Sequence, residues 1–232
     1  MAADTAPGWH GKLPSLGDFA TRRLDADFVA AWDEWLSEGL ARLRAGPDWP
    51  GAYLASPSWR FLLLPAALPG ALGRQAWAGV LMPSVDRVGR YYPLTIAQPL
   101  DTLPADAAGV EALWTWLLKL DEAAADALHD DWSIETLEAE LARLPAPQAA
   151  APIDATLPDA RGGVTRLALG GLPHVGSLMM AQAAVAWRER SQGLAFWSAQ
   201  ADLGPPRLLA SPGLERGRLL DELFGAVPDN AG

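Results

Sequence analysis

Ser84, Asp86, Arg87 and Arg90 stand within seven residues of one another in the run GVLMPSVDRVGRYYPLT, which spans positions 79–95. A carboxylate set among guanidinium groups allows two kinds of chemistry. Arg87 and Arg90 can clamp an anion with their forked donors. Alternatively, Asp86 and Arg90 can pair internally and brace the loop that carries them, since a buried charge must find a partner. Internal pairing is the reading we favour. Lys12, Asp18, Arg22 and Arg60 share the ambiguity, because each is a charge beside strong apolar anchors. Each can pair with the loop or face a partner. A reaction centre or anion site made from Lys12, Asp18, Ser84, Asp86 and Arg90 would need those groups to converge in an open pocket.

The elements that must position these groups are legible as apolar runs and periodicities. Gly79, Val80, Leu81 and Met82 form a short apolar run that fits a buried strand, and 93–97 is a second one. Between them Pro83 and Gly89 punctuate a polar loop anchored on both sides. Phe28, Ala31, Trp32, Trp35, Leu36, Leu40 and Leu43 recur at helical spacing and predict a helix over 27–44. It would be roughly 27 Å long, enough to cross a sheet face. Asp25 and Asp27 sit where a helix N-terminus favours carboxylates. Gly46 and Pro47 end that helix, and a loop is expected from Trp49 towards Pro57. Residues 59–64 read as a buried strand with Arg60 embedded in it, 65–74 as a turn, and Ala76 as the start of the next strand.

Further along, helices are expected over 109–128 and 133–144, the second capped by Ser133. An exposed Ala/Pro connector follows over 145–158. The remainder predicts strands at 164–169, 194–198 and 207–210 and helices at 177–190 and 214–224. Residues 1–232 are read as one domain, with a motif-bearing core at 8–100, a helical middle at 109–144 and a C-terminal α/β part at 164–225. Short loops between neighbouring strands predict a largely antiparallel or mixed sheet in an α/β fold. Trp32, Trp35, Trp59 and Trp116 lie on periodic apolar patterns and are assigned to the core. Trp9, Trp49 and Trp132 lie at element edges, where an exposed aromatic makes a good interface anchor.

Composition narrows the function. Half of the 232 residues are hydrophobic and eleven are Trp, so a sizeable core is available. There is no cysteine, which excludes disulfides, thiolate metal sites and a Cys nucleophile. The net charge of −10 is concentrated over 101–160, where two basic residues face thirteen acidic ones. Such a chain repels phosphate backbones, so nucleic acid is not an expected partner. The acidic stretch is read as a solvated helix face. The start, MAADTAPGW, lacks a basic segment followed by an apolar one, so no secretory leader is expected. No apolar run approaches the ~18–20 residues of a membrane helix. A cytoplasmic protein without membrane insertion is the expectation.

Familiar catalytic patterns are missing. Gly8-Trp-His-Gly-Lys-Leu13 resembles a phosphate loop but has too short a glycine spacing and no hydroxyl after Lys12. His10, His129 and His174 are isolated, with no metal-ligand spacing. There is no G-x-S-x-G elbow around Ser84. No cofactor, metal or enzymatic activity is therefore expected.

Four motifs then combine. GWHGKLPSLGDF from Gly8 to Phe19, with Arg22 and Arg23, is followed by Phe28-Val-x-x-Trp32-Asp-x-Trp35-Leu, by Ser56-Pro-x-Trp-Arg-Phe61, and by the 79–95 run. In this order they resemble the TagF (ImpM) family of type VI secretion-associated proteins. Two departures stand out: His10 lies where Phe or Tyr is frequent, and Phe196-Trp197 lies where many members carry a Trp pair. The resemblance implies a three-layer α/β/α sandwich. It also implies a cytoplasmic accessory protein that represses assembly of the secretion apparatus after translation, by binding a forkhead-associated scaffold protein. Lys12, Asp18, Arg22, Trp32, Trp35, Trp59, Arg60, Ser84, Asp86, Arg87 and Arg90 fall within the motifs and are the candidate structural or binding residues.

Overall fold

The apolar run before Pro83 and the one after it form two neighbouring strands, β4 (Ala76–Met82) and β5 (Leu94–Leu100), paired antiparallel with Met82 opposite Leu94. A computed structural model describes residues 5–149, 175–200 and 206–225. Around this hairpin β1 (Gly8–Gly11), β2 (Ala20–Arg22), β3 (Trp59–Leu63), β6 (Leu194–Ala199) and β7 (Arg207–Pro212) complete a seven-stranded sheet in the order β2-β1-β5-β4-β3-β6-β7. Among the described residues every pairing is antiparallel. Strands from the motif-bearing half and from the C-terminal part thus share one sheet.

Alternation along each strand sends side chains to two separate cores. Trp59, Phe61, Leu63, Trp77 and Trp197 face one layer, formed by α1 (Ala26–Leu43), α2 (Trp49–Leu54) and α6 (Leu219–Phe224). Trp9, Ala78, Val80 and Ile96 face the other, where α3 (Ala107–His129) and α4 (Ile134–Leu141) pack. On that same side α5 (Val175–Arg190) stacks Trp187 against Phe196 of β6. The result is the three-layer α/β/α arrangement. Central strands β3 and β4 are buried on both faces, which is why they read as nearly unbroken apolar runs.

The indoles combine large apolar area with satisfied polar tips. Trp32 donates to Thr95 Oγ1 at 2.8 Å, Trp59 to the Leu223 carbonyl at 2.9 Å and Trp35 to the Glu215 carbonyl at 3.1 Å. Gly39 marks where α1 meets α6, because an added Cβ would lie 2.5 Å from Leu220 Cδ2.

The structure corrects several expectations. Trp9 is not an exposed edge aromatic: it is fully buried and donates to Glu138 Oε1 at 2.6 Å. The stretch after Asp48, expected as loop, contains α2, with Pro50 in its first turn where a missing N–H costs nothing. The last helix begins at Leu219 rather than 214, because the Glu215 carboxylate takes the N–H groups of Gly217, Arg218 and Leu219. Short β2 escaped prediction, since three residues carry no periodicity. Asp25 precedes α1 without a side-chain cap bond, whereas Ser133 does cap α4 by accepting from Thr136 N at 3.2 Å. The expected strand at 164–169, His174 and most of the 145–158 connector lie outside the described residues.

Candidate functional site

The β4–β5 loop is shaped by its own backbone before its side chains act. Asp86 N donates to the Arg90 carbonyl at 3.1 Å, Gly89 N to the Asp86 carbonyl at 3.0 Å, and Tyr92 N to the Ser84 carbonyl at 3.1 Å. Gly89 takes φ +82°, a left-handed conformation that glycine adopts without a Cβ penalty. This turn directs the Asp86 carboxylate inward, where its side chain is 0 % exposed.

Asp86 is fully coordinated. Its Oδ2 accepts from Lys12 Nζ at 2.8 Å and from Arg90 Nε at 2.7 Å. Its Oδ1 accepts from Arg90 N at 2.9 Å and Val88 N at 3.0 Å. Burial alone would raise the carboxyl's pKa, but the Lys12 and Arg90 side chains and the two backbone N–H groups outweigh it, and the group sits well below the usual carboxylate range. Lys12, itself buried, also lies 4.8 Å from the Phe19 ring centroid. Ser84 Oγ donates to the Lys12 carbonyl at 2.7 Å, which ties the loop to the chain leaving β1. From below, the buried Tyr53 hydroxyl of α2 accepts from Ser84 N at 3.0 Å and donates to the Ser84 carbonyl at 3.1 Å.

The 14–19 stretch closes over the same loop. Arg87 N donates to the Leu16 carbonyl at 3.0 Å, and Arg90 Nη2 donates to the Gly17 carbonyl. Beneath Phe19 lies a polar-aromatic layer. Tyr92 packs edge-on at 4.7 Å and donates to Asp33 Oδ1 at 2.7 Å, and the His10 ring is stacked at 6.0 Å. His10 Nδ1 is 2.7 Å from Thr21 Oγ1. Burial holds the imidazole below its ordinary pKa of 6.5, against the opposing pull of Asp33.

That shift carries a prediction with a definite sign. Folding favours neutral His10, so its contribution is complete above pH 6.5 and is lost as the pH falls below that value, where the unfolded chain takes up the proton. His10→Phe keeps the aromatic contacts but removes the titration. Urea unfolding of this variant should therefore show a shallower loss of stability than the wild type on going from neutral to mildly acidic pH. Identical slopes would remove His10 from the pH response.

The structure gathers some of the candidate residues and separates others. Lys12, Ser84, Asp86, Arg87 and Arg90 form one cluster. Asp18 is exposed and, among the described residues, accepts only from Phe19 N, at 2.8 Å. Arg22 lies on the edge strand and donates to its neighbouring Thr21 carbonyl. Arg60 points to the other side of the sheet, where Nη1 meets Asp121 Oδ2 at 2.8 Å and the guanidinium lies 5.1 Å from the Trp114 ring centroid. Trp32, Trp35 and Trp59 are core. Sequence reasoning missed Tyr53, Phe19 and Asp33; Tyr53 fell in a stretch read as loop, and nothing local links Asp33 to Tyr92 across 59 positions.

Comparison with known proteins bears on the same segment. Residues 8–144 match the model of the TagF N-terminal domain, described as type VI secretion system-associated. The chain belongs to the TagF family. The Asp86 cluster lies wholly inside the matched TagF segment. The crystal structure of PA0076 from Pseudomonas aeruginosa PAO1 is similar over 98 % of this chain and 99 % of that one, with 30 % identity and a TM-score of 0.71. No curated protein matches the chain significantly. Among the described residues, no His, Asp or Glu group is arranged to hold a metal ion, and no helix is long and apolar enough to cross a membrane.

Proposed function

We propose that this TagF-family chain is a non-catalytic, cytoplasmic, single-domain regulator that represses a type VI secretion apparatus after translation by binding a forkhead-associated scaffold protein. Membership of a type VI secretion-associated family supports the system. The observation that carries the non-catalytic part is the mutual satisfaction of Lys12, Ser84 and Asp86 beneath the surface. An anion site made from the same groups would need free donors facing a cavity. Here the Lys12 ammonium and the Asp86 carboxylate already neutralise each other, and Asp18 stands apart. The cluster acts as a brace that holds the loop surface stiff, the condition under which a docking face binds at low entropic cost.

The test is calorimetric titration of the purified full chain with the scaffold protein of its own system, beside a secretion assay. Saturable association and relief of repression on deleting the gene are the expected results. Repression that persists while the two purified proteins show no association would overturn the mechanism.

A further inference from the structure

We propose that the surface formed by Phe19, Arg87, Val88 and Arg90 is the docking face, and that it takes an acidic partner segment with an apolar side chain next to its carboxylates. This deepens the proposed function and rests on it. Phe19 is 46 % and Val88 64 % exposed, and the segments that carry them meet where Arg87 N bonds the Leu16 carbonyl and Arg90 Nη2 the Gly17 carbonyl. Yet neither is loose. The Phe19 ring is backed by the Lys12 ammonium and the Tyr92 ring, and Val88 N is held by Asp86. An exposed aromatic backed from beneath, on a surface that also carries arginine, has the composition of an interface hot spot, because little conformational freedom is left to lose on binding.

Charge selects the occupant. Lys12 and Arg90 share the single carboxylate of Asp86, so the cluster keeps an excess positive charge, to which the exposed Arg87 adds. The Arg87 guanidinium makes no hydrogen bond or ion pair among the described residues, and the Arg90 side chain, fixed by Asp86 and Gly17, is still 51 % exposed. On a chain of net charge −10, this locally positive face attracts carboxylates that the 101–160 region repels. Arg90 Nε and Nη2 are engaged by Asp86 and Gly17, which holds the guanidinium still and leaves Nη1 as the donor a partner carboxylate can meet, beside the unengaged Arg87.

Arg87→Glu and Val88→Glu are the variants to test, with Met179→Glu on α5, on the far side of the sheet, as the control. All three positions are exposed, and melting temperatures close to the wild type confirm intact folding. In titrations with the scaffold protein, each of the first two should raise Kd by about tenfold or more, and the control should leave it unchanged. Wild-type affinity should fall as salt is added, less steeply for Arg87→Glu. A benzophenone amino acid at position 88 should crosslink to an acidic stretch of the scaffold. If both variants bind as tightly as a binding-competent wild type, the surface is wrong and the proposed function stands. If the wild type itself does not bind, both fall together.

Discussion

Asp86→Asn should lower folding stability by about 3–5 kcal/mol, the range for breaking a buried ion pair from one side. The amide keeps the shape of the carboxylate but strands the Lys12 ammonium, which is only 3 % exposed. It also turns one acceptor into a donor, facing Lys12 Nζ and Arg90 Nε if it occupies the Oδ2 position. Guanidinium unfolding, monitored by the buried tryptophans, measures the loss. Adding Lys12→Met should recover part of it, because the double variant buries no unpaired charge and Arg90 can turn to solvent. The pH dependence has a fixed sign. Since the folded-state pKa is depressed, the pair contributes fully above the ordinary value of 3.8 and fades as the pH falls below it. Asp86→Asn should therefore lose part of the wild-type acid slope. A variant within about 1 kcal/mol of the wild type would mean that the loop is not braced in this way.

The second large effect is expected in the core between α1 and the sheet, which also holds Tyr53 and Tyr92. Trp32→Ala should cost about 3–5 kcal/mol, the usual price of emptying an aromatic site in a core. Trp32 is fully buried and contacts Phe28, Trp35, Phe61 and Trp197 at centroid separations of 5.1–6.2 Å. Its loss also removes the donor to Thr95 Oγ1 in the centre of the sheet. Trp32→Phe keeps an aromatic in the core while losing the hydrogen bond and part of the ring volume, so it falls between the two extremes. It should fall about 1–2 kcal/mol below the wild type. Equal midpoints for Trp32→Ala and the wild type in urea would show that α1 is not anchored to the sheet through this residue.

These two residues illustrate different routes by which a signature motif becomes fixed. Trp32 is dictated by volume and by one polar tip. Asp86 is dictated by four donors converging from the 12 and 86–90 stretches. Neither role requires substrate chemistry. The docking face we propose would instead use Phe19, Arg87 and Val88, whose side chains contribute least to the brace, together with the exposed part of Arg90.

Amphipathic periodicity placed α1, α3 and α4 because a helix that buries one stripe must repeat its apolar residues every three or four positions. Unbroken apolar runs likewise placed β3, β4 and β5, which are covered on both faces. Short elements left no such record: β2 has three residues and α2 has six, too few for a period to emerge. Trp9 was misplaced for a related reason, since its burial comes from α4, more than a hundred residues away.

By itself the sequence determined which residues are apolar, how they repeat, and hence the layers and the strands that carry the charged loop. Only the tertiary structure decided how those charges are used. Lys12 is 74 positions from Asp86, and Asp33 is 59 from Tyr92. Arg60, which belongs to the same motif set, was sent to the other face of the sheet to meet Asp121. A charge has the same letter whether it is paired or free, and the choice depends on which distant group the fold brings within about 3 Å of it.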